Sequence, residues 1–309
     1  MGHRPVSTVS AAICYGRVMK RIFAIRSLLA SAALCAIAAS VTAAAPAPAP
    51  KAVPDFSGMW ARSPDNYFFP VPGENFVPLV KLTVTGPNAD PLVKKPVSDT
   101  DAEEIMAGDY HNSILQPWAR EVVRKNAEQE IALDHVYTAS NSCWPSGLPQ
   151  ILNLRDPAKI IQTKDKILFI HQRDHQWRTI YLNQPHSKNP KPSWYGESVG
   201  YWEGDTLVVD TIGQVTHALH VVDPWGTPHT EKLHVVERYR LINDADGKAI
   251  EIVFTVDDPG TFTAPWTAVA MVRPNRVQDI LEVACAENNR HFEAGTTFGP
   301  MPEEKTPAF

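Results

Sequence analysis

From Lys159 to Ala286 the chain is a run of short segments rich in Val, Ile, Thr and aromatic residues, at 159–163, 166–172, 176–182, 197–203, 205–212, 231–242, 249–257, 266–273 and 279–286. Segments of this length cannot bury their own apolar faces, so they must pair. The connections between them are short, and Glu203-Gly204-Asp205 and Asn243-Asp244-Ala245-Asp246-Gly247 have hairpin chemistry. Short connections between consecutive strands favour an antiparallel meander. The segment 249–257 alternates cleanly, with Ile250, Ile252, Phe254 and Val256 on one face. Segments 166–172 and 205–212 are apolar on both faces, so something must cover their outside.

The expected fold is therefore mainly β: an antiparallel, lipocalin-like barrel or bent sheet with two covering helices near the N-terminal side. Ser98 or Thr100 can cap a first helix running through Ala107, with Asp101, Glu103 and Glu104 complementing its dipole. The second starts at Pro117 and extends to about Leu133, with Trp118, Val122, Val123 and Ile131 roughly on one face. Asp55–Trp60 reads as the first strand. Residues 61–97 read as loop, with a short strand near 79–84.

The first 44 residues have the grammar of a secretory signal. Met19 is the expected start, Lys20, Arg21 and Arg26 form a basic region, Leu28–Val41 is apolar, and Val41-Thr42-Ala43 suits cleavage. A Pro/Ala linker follows over 45–54, then a single β-rich domain over 55–298 and a flexible tail over 299–309. The expected location is periplasmic or extracellular, with no membrane anchor after processing. Residues 1–44 hold five basic residues and no acidic one, so processing leaves 24 of the 29 basic residues against 34 acidic ones, a formal charge of −10. Such a field repels phosphate backbones, so nucleic acid is not an expected partner. Two cysteines survive processing, Cys143 and Cys285, and an oxidising compartment allows them to pair.

The residues suited to chemistry concentrate in two places. Within 231–242, Leu233, Val235, Glu237, Tyr239 and Leu241 share a face, so Glu237 is a carboxylate in an apolar row. It needs a partner or its pKa rises, which suits a general acid or base; Arg238 points the other way. The run His229-Thr230-Glu231-Lys232-Leu233-His234 offers two imidazoles and a carboxylate. These could hold a divalent metal as His229, Glu231 and His234, with His217 and His220 as extra ligands, provided the strand begins after Glu231. Asp174-His175 sits at a hairpin, where the carboxylate can orient the imidazole, and Arg178 could bind an anionic group. Trp194, Trp202 and Tyr181 are candidates to contact an aromatic or sugar-like ligand, with His229 beside them. Gly196-Glu197-Ser198-Val199-Gly200 matches a nucleophile elbow, but a β-hairpin follows it where that motif needs a helix. Asn243–Gly247 resembles the start of a calcium loop without its closing Glu, and reads as a turn.

Six blocks in order also resemble a family of secreted bacterial proteins. They are Cys143-Trp144-Pro145-Ser146-Gly147-Leu148-Pro149; Asp174-His175-Gln176-Trp177-Arg178 with His186 following; Trp194–Thr211; Pro228–Tyr239; Asp258-Pro259 with Pro265-Trp266-Thr267; and Cys285-Ala286-Glu287-Asn288-Asn289. The likeness spans roughly Trp118 to Arg290. It departs at Gln150, where a basic residue is expected after the proline. The resemblance implies a shared fold and pocket and names no substrate. The expected function is an exported enzyme acting on a small organic molecule by acid–base chemistry, of lyase, isomerase or hydrolase type, and no cofactor is required. His175 and His234 would exchange protons, Glu231 and Glu237 orient or act as base, and Arg178 bind an anionic group. The alternatives are a non-catalytic, lipocalin-like binder of an aromatic or lipid-like ligand, and a metal-dependent lyase or hydrolase. The Trp194–Thr211 block reads as scaffold, which places the chemistry in His229–Arg238 with Asp174-His175 across the pocket.

Overall fold

Period-two alternation becomes a wall with one dry face. The computed structural model describes residues 53–62, 68, 82, 90, 107–132, 139, 142–173 and 175–283, all within the compact unit Pro50–Phe309. Nine strands close into a barrel in sequence order. They are β1 (Gly58–Arg62), β2 (Ala158–Gln162), β3 (Lys166–His171), β4 (Trp177–Leu182), β5 (Glu197–Glu203), β6 (Thr206–Ile212), β7 (His234–Asp244), β8 (Gly247–Asp257) and β9 (Trp266–Pro274). The mainly β barrel is as the strand pattern predicts. One seam departs from a pure meander: β4 and β5 run parallel, because residues 183–196 carry the chain back to the end of the barrel where β4 began. The predicted segment 279–286 forms no strand over its described part, 279–283. The pairing of β1 with β9 closes the ring and leaves no edge for it.

The register sets four layers of side chains across the interior. Val235 lies beside Thr211 and Val256, Glu237 beside Val209 and Phe254, Tyr239 beside Leu207 and Ile252, and Leu241 beside Ile250. Trp202 enters at the far end and packs its ring 5.4 Å from that of Phe56. Trp60 donates its indole N–H to the Phe56 carbonyl at 2.8 Å. Most of these inward residues are almost fully buried aliphatics or aromatics.

One ion pair interrupts this apolar interior. Arg178 and Glu237 are inward on β4 and β7, and both are buried. The guanidinium donates Nη1–H to Glu237 Oε1 at 3.0 Å and a close Nη2–H to Oε2. Its remaining donors go to Ser198 Oγ at 2.9 Å, Thr211 Oγ1 at 2.7 Å and Tyr239 Oη at 3.4 Å. Tyr239 in turn donates to Glu237 Oε1 at 2.6 Å. All five guanidinium N–H groups are therefore engaged, which is what a buried cation requires. The pair joins strands that are not neighbours, and with Ser198 and Thr211 it spans β4 to β7.

The loops rich in histidine and tryptophan collect at one end of the barrel, and the 3₁₀ turn Gln150–Asn153 plugs that end with Ile151 and Leu152. One helix, α1 (Pro117–Ile131), lies among the described residues. The other predicted helix falls on 98–106, outside them, and Ala107 is not helical; the strand expected near 79–84 also lies outside, apart from Leu82. Helix α1 buries Val123, as expected, together with Ala119 and Ala127, while Val122 and Ile131 are only partly buried. Small side chains let the backbone approach closely, while Trp118 stays 44% exposed and donates Nε1–H to the Gly260 carbonyl at 2.6 Å. Buried Asp258 ties the neighbouring loops: its carboxylate accepts from the Thr230 N–H and hydroxyl, each at 2.6 Å, from the Thr261 hydroxyl at 2.8 Å and from the Gly260 N–H at 3.0 Å.

Glu237→Ala leaves a buried guanidinium uncompensated and should cost about 3–5 kcal/mol. Arg178→Met combined with Glu237→Leu should recover most of that loss. Equilibrium denaturation by urea measures both, and a single variant as stable as the parent would contradict the structural role of the pair.

Candidate functional site

A cluster of four titratable side chains lies on the outer wall. Glu197 on β5, Asp210 on β6 and His234 on β7 point outward at the loop end, and His186 reaches them from the β4–β5 crossover. In the register His234 lies opposite Asp257 on β8, and Asp210 opposite Val199 and Val236, which sets Asp210 diagonally between Glu197 and His234. His234 Nε2 is 2.9 Å from Asp210 Oδ2, His186 Nε2 is 2.8 Å from Asp210 Oδ1, and His186 Nδ1 is 3.0 Å from Glu197 Oε1. The Ser187 N–H also donates to Glu197 Oε1, at 2.7 Å. Carboxylates only accept, so each of the histidine contacts is made by an imidazole N–H. The four side chains are 21–38% exposed. The hydrogen bond from His234 holds the Asp210 carboxyl below its ordinary range, and the same bond, with the charges of Asp210 and Asp257, raises the His234 pKa. Hydrogen bonds from Ser187 do most to lower Glu197.

A second cluster, of aromatic and imidazole rings, fills the loops above the barrel. Trp194 lies 5.5 Å from Trp144, 5.1 Å from His217 and 5.2 Å from His220, and His220 meets His229 edge-on at 4.4 Å. His220 Nδ1 is 2.9 Å from the Val215 carbonyl and His229 Nδ1 is 2.9 Å from that of Thr230. Each ring therefore carries its hydrogen on Nδ1 and turns a lone pair outward at Nε2. Burial pushes the His220 pKa down to about 3 and lowers that of His229.

Gly147 decides what His220 can do. A Cβ on Gly147 would stand 1.8 Å from His220 Nε2 and 2.5 Å from both Cδ2 and Cε1, on the ring's outward axis. That point is one carbon–carbon bond from the Gly147 Cα. A metal at the usual ~2.0–2.1 Å from Nε2 would collide with the glycine backbone. His220 is thus a packed core imidazole, and the sequence expectation of it as an extra metal ligand is corrected. The φ of +66° at Gly147 adds a second reason for glycine.

The other residues singled out in the sequence scatter. Strand β7 begins at His234, after Glu231, as convergence of the three metal candidates requires. Even so, His229 is buried, Glu231 is exposed, and His234 binds Asp210. Among the described residues no group of three or more His, Cys, Asp or Glu is placed to hold a metal ion. Arg178 and Glu237 are brought together, but as the closed ion pair of the barrel interior. Ser198, the serine of the apparent elbow, is buried against them. His175 sits exposed in the β3–β4 hairpin, with Nε2 accepting from the Val283 N–H at 3.2 Å, while Asp174 lies outside the described residues. Tyr181 is on the outer wall, 45% exposed, and Trp202 is in the barrel floor. Cys143 precedes the Trp144 ring of the aromatic cluster, and Cys285 lies outside the described residues.

The lumen retains a cavity of about 40 Å³ beneath the 3₁₀ plug, lined by Trp60, Arg62, Phe169, His171 and Tyr239 among others. Ligand pockets for drug-sized molecules run to roughly 300–1,000 Å³. His171 stacks on Tyr195 at 5.3 Å, and burial drives its pKa down to about 3, so it lines this space as a neutral ring. No family model, curated protein or solved structure matches the chain.

Sequence reasoning missed His186, Glu197 and Asp210. The available signal was parity: Asp210 is the only charged residue of strand 206–212, and alternation turns it outward on a strand that otherwise reads as buried.

Gly147→Ala should expel His220 from its seat and lower the unfolding midpoint in urea, with loss of near-ultraviolet signal from the tryptophan cluster; an unchanged spectrum and midpoint would refute the packing argument. Burial raises the Asp223 pKa from 3.8 to about 6 against the hydrogen bonds from Thr227 and Trp225. A raised carboxyl contributes stability below its unfolded value and loses it as pH climbs through the folded one. Asp223→Asn should therefore match the parent near pH 4 and exceed it by up to about 3 kcal/mol above pH 7, read from denaturation curves at the two pH values.

Proposed function

We propose that the protein is an exported enzyme acting on a small organic molecule by proton transfer, of lyase, isomerase or hydrolase type. His234 is the proton-transferring side chain and Asp210 the carboxylate that orients it. One observation carries the reading: a half-exposed imidazole on a strand, with Nε2 fixed by a carboxylate and no hydrogen bond at Nδ1 from the described residues. This arrangement suits general acid–base catalysis, since the carboxylate fixes the ring and stabilises its charged form. As an acid, His234 is loaded below its raised pKa and empties as pH rises through it. The small lumen favours chemistry on the wall over transport of a lipid-like ligand inside. The resemblance to secreted bacterial proteins and the signal-like N-terminus support export, and we extend the reading to a Cys143–Cys285 disulfide.

The test is depletion of a small molecule. Purified protein is incubated with the small-molecule pool of its native surroundings, and the mixture is followed by mass spectrometry beside His234→Gln and Asp210→Asn. The expected result is at least one species converted by the parent, with conversion slowed about 10²–10⁴-fold in His234→Gln. Equal conversion by parent and His234→Gln would overturn the assignment, as would no conversion by either.

A further inference from the structure

A carboxylate bound at one oxygen turns about its Cβ–Cγ bond; bound at both, it does not. Asp210 is bound at both, by His234 at Oδ2 and His186 at Oδ1. The second anchor comes from outside the sheet, on the crossover 183–196. That segment is tied to the wall by the Asn183 N–H to the Gly200 carbonyl at 2.7 Å, by the two contacts to Glu197, and by the Ser193 N–H to the Gly213 carbonyl at 3.2 Å. His186 is thus clamped between a carboxylate next to β5's start and the carboxylate that serves His234.

We propose that His186 is a positioning residue of this site: by holding Asp210 Oδ1 it keeps Oδ2 aimed at His234 Nε2, so His234 is set for proton transfer only while the crossover is docked. The proposal rests on the reading of His234 as the proton-transferring group. The charged groups around His234 are Asp210 from β6, Asp257 from β8 and, through His186, Glu197 from β5. Arg238, the next charged outward residue on β7, is taken up by Glu203 at the β5–β6 turn and does not compete.

Two physical effects oppose each other when His186 is removed, and their signs separate the proposal from its rival. If His186 only competed for the Asp210 carboxylate, its removal would free that carboxylate for His234 and raise the His234 pKa; loss of the anchor on Asp210 would weaken the bond that raises it and return it toward the ordinary 6.5. Titration of the His234 ring by proton–nitrogen NMR reads the difference without any substrate, so its outcome is independent of whether a converted molecule is found. In His186→Ala the midpoint should fall by at least about half a unit, and His186→Gln, whose amide can still donate to Oδ1, should restore most of it. Glu197→Gln, which slackens the clamp without removing the ring, should give a smaller fall in the same direction and guards against a His186→Ala protein that fails to fold. A midpoint in His186→Ala that stays or rises while the fold is intact would overturn the positioning role. So would equal falls in His186→Ala and His186→Gln.

Discussion

The Arg178–Glu237 pair is the constraint around which the barrel is arranged. Two charges in a dry interior are tolerable only with every donor and lone pair engaged, so Ser198, Thr211 and Tyr239 are committed along with them. These commitments fix the register of β4, β5, β6 and β7 relative to one another: a slip of one residue would turn a charge out and an apolar side chain in. They also remove the interior from the chemistry. A glutamate locked by two N–H groups and a phenol is a poor base, and an arginine with no donor left cannot take an anion. The titratable side chains left accessible are on the wall and at the loop end.

The two clusters there differ in what surrounds them. Above the barrel, burial keeps His220 and His229 neutral and hydrogen-bonded to carbonyls, and Gly147 closes the last nitrogen of His220. On the wall, the half-exposed Asp210 carboxylate favours the charged form of His234. The same residue type is a neutral packing element in one place and a half-exposed, carboxylate-bound ring in the other, and the difference lies in neighbours and water.

Much of this architecture was legible in the sequence. Alternation in 249–257 and the turns at Gly204 and Gly247 placed the strand ends beside those turns to within two residues, although β7 begins three residues later than read, and the apolar row around Glu237 identified it as inward-facing. Its partner was not legible, because Arg178 is 59 residues away and only the closed register brings the two together. The metal and proton-transfer groupings proposed from the run His229–His234 dissolved for a related reason: sequence proximity across a turn sends successive side chains to the core, to solvent and to the wall. Asp210 and His186 were passed over because one sat in a block with scaffold chemistry and the other in a connection without periodicity. Val123 marks the buried side of the helix in both sequence and structure, but close packing against the loops selects Ala119 and Ala127 beside it and leaves Trp118 outside.

The parallel seam between β4 and β5 has a consequence of pure counting. Around a closed ring, each antiparallel seam reverses the chain direction, and a full circuit must restore it, so reversals come in even number. A ring of nine strands therefore cannot be antiparallel throughout, and at least one seam must keep its direction. The return segment that this demands is the one that lays His186 against Asp210. An eight- or ten-stranded relative could alternate perfectly and would have no need of a strap across its wall at that place.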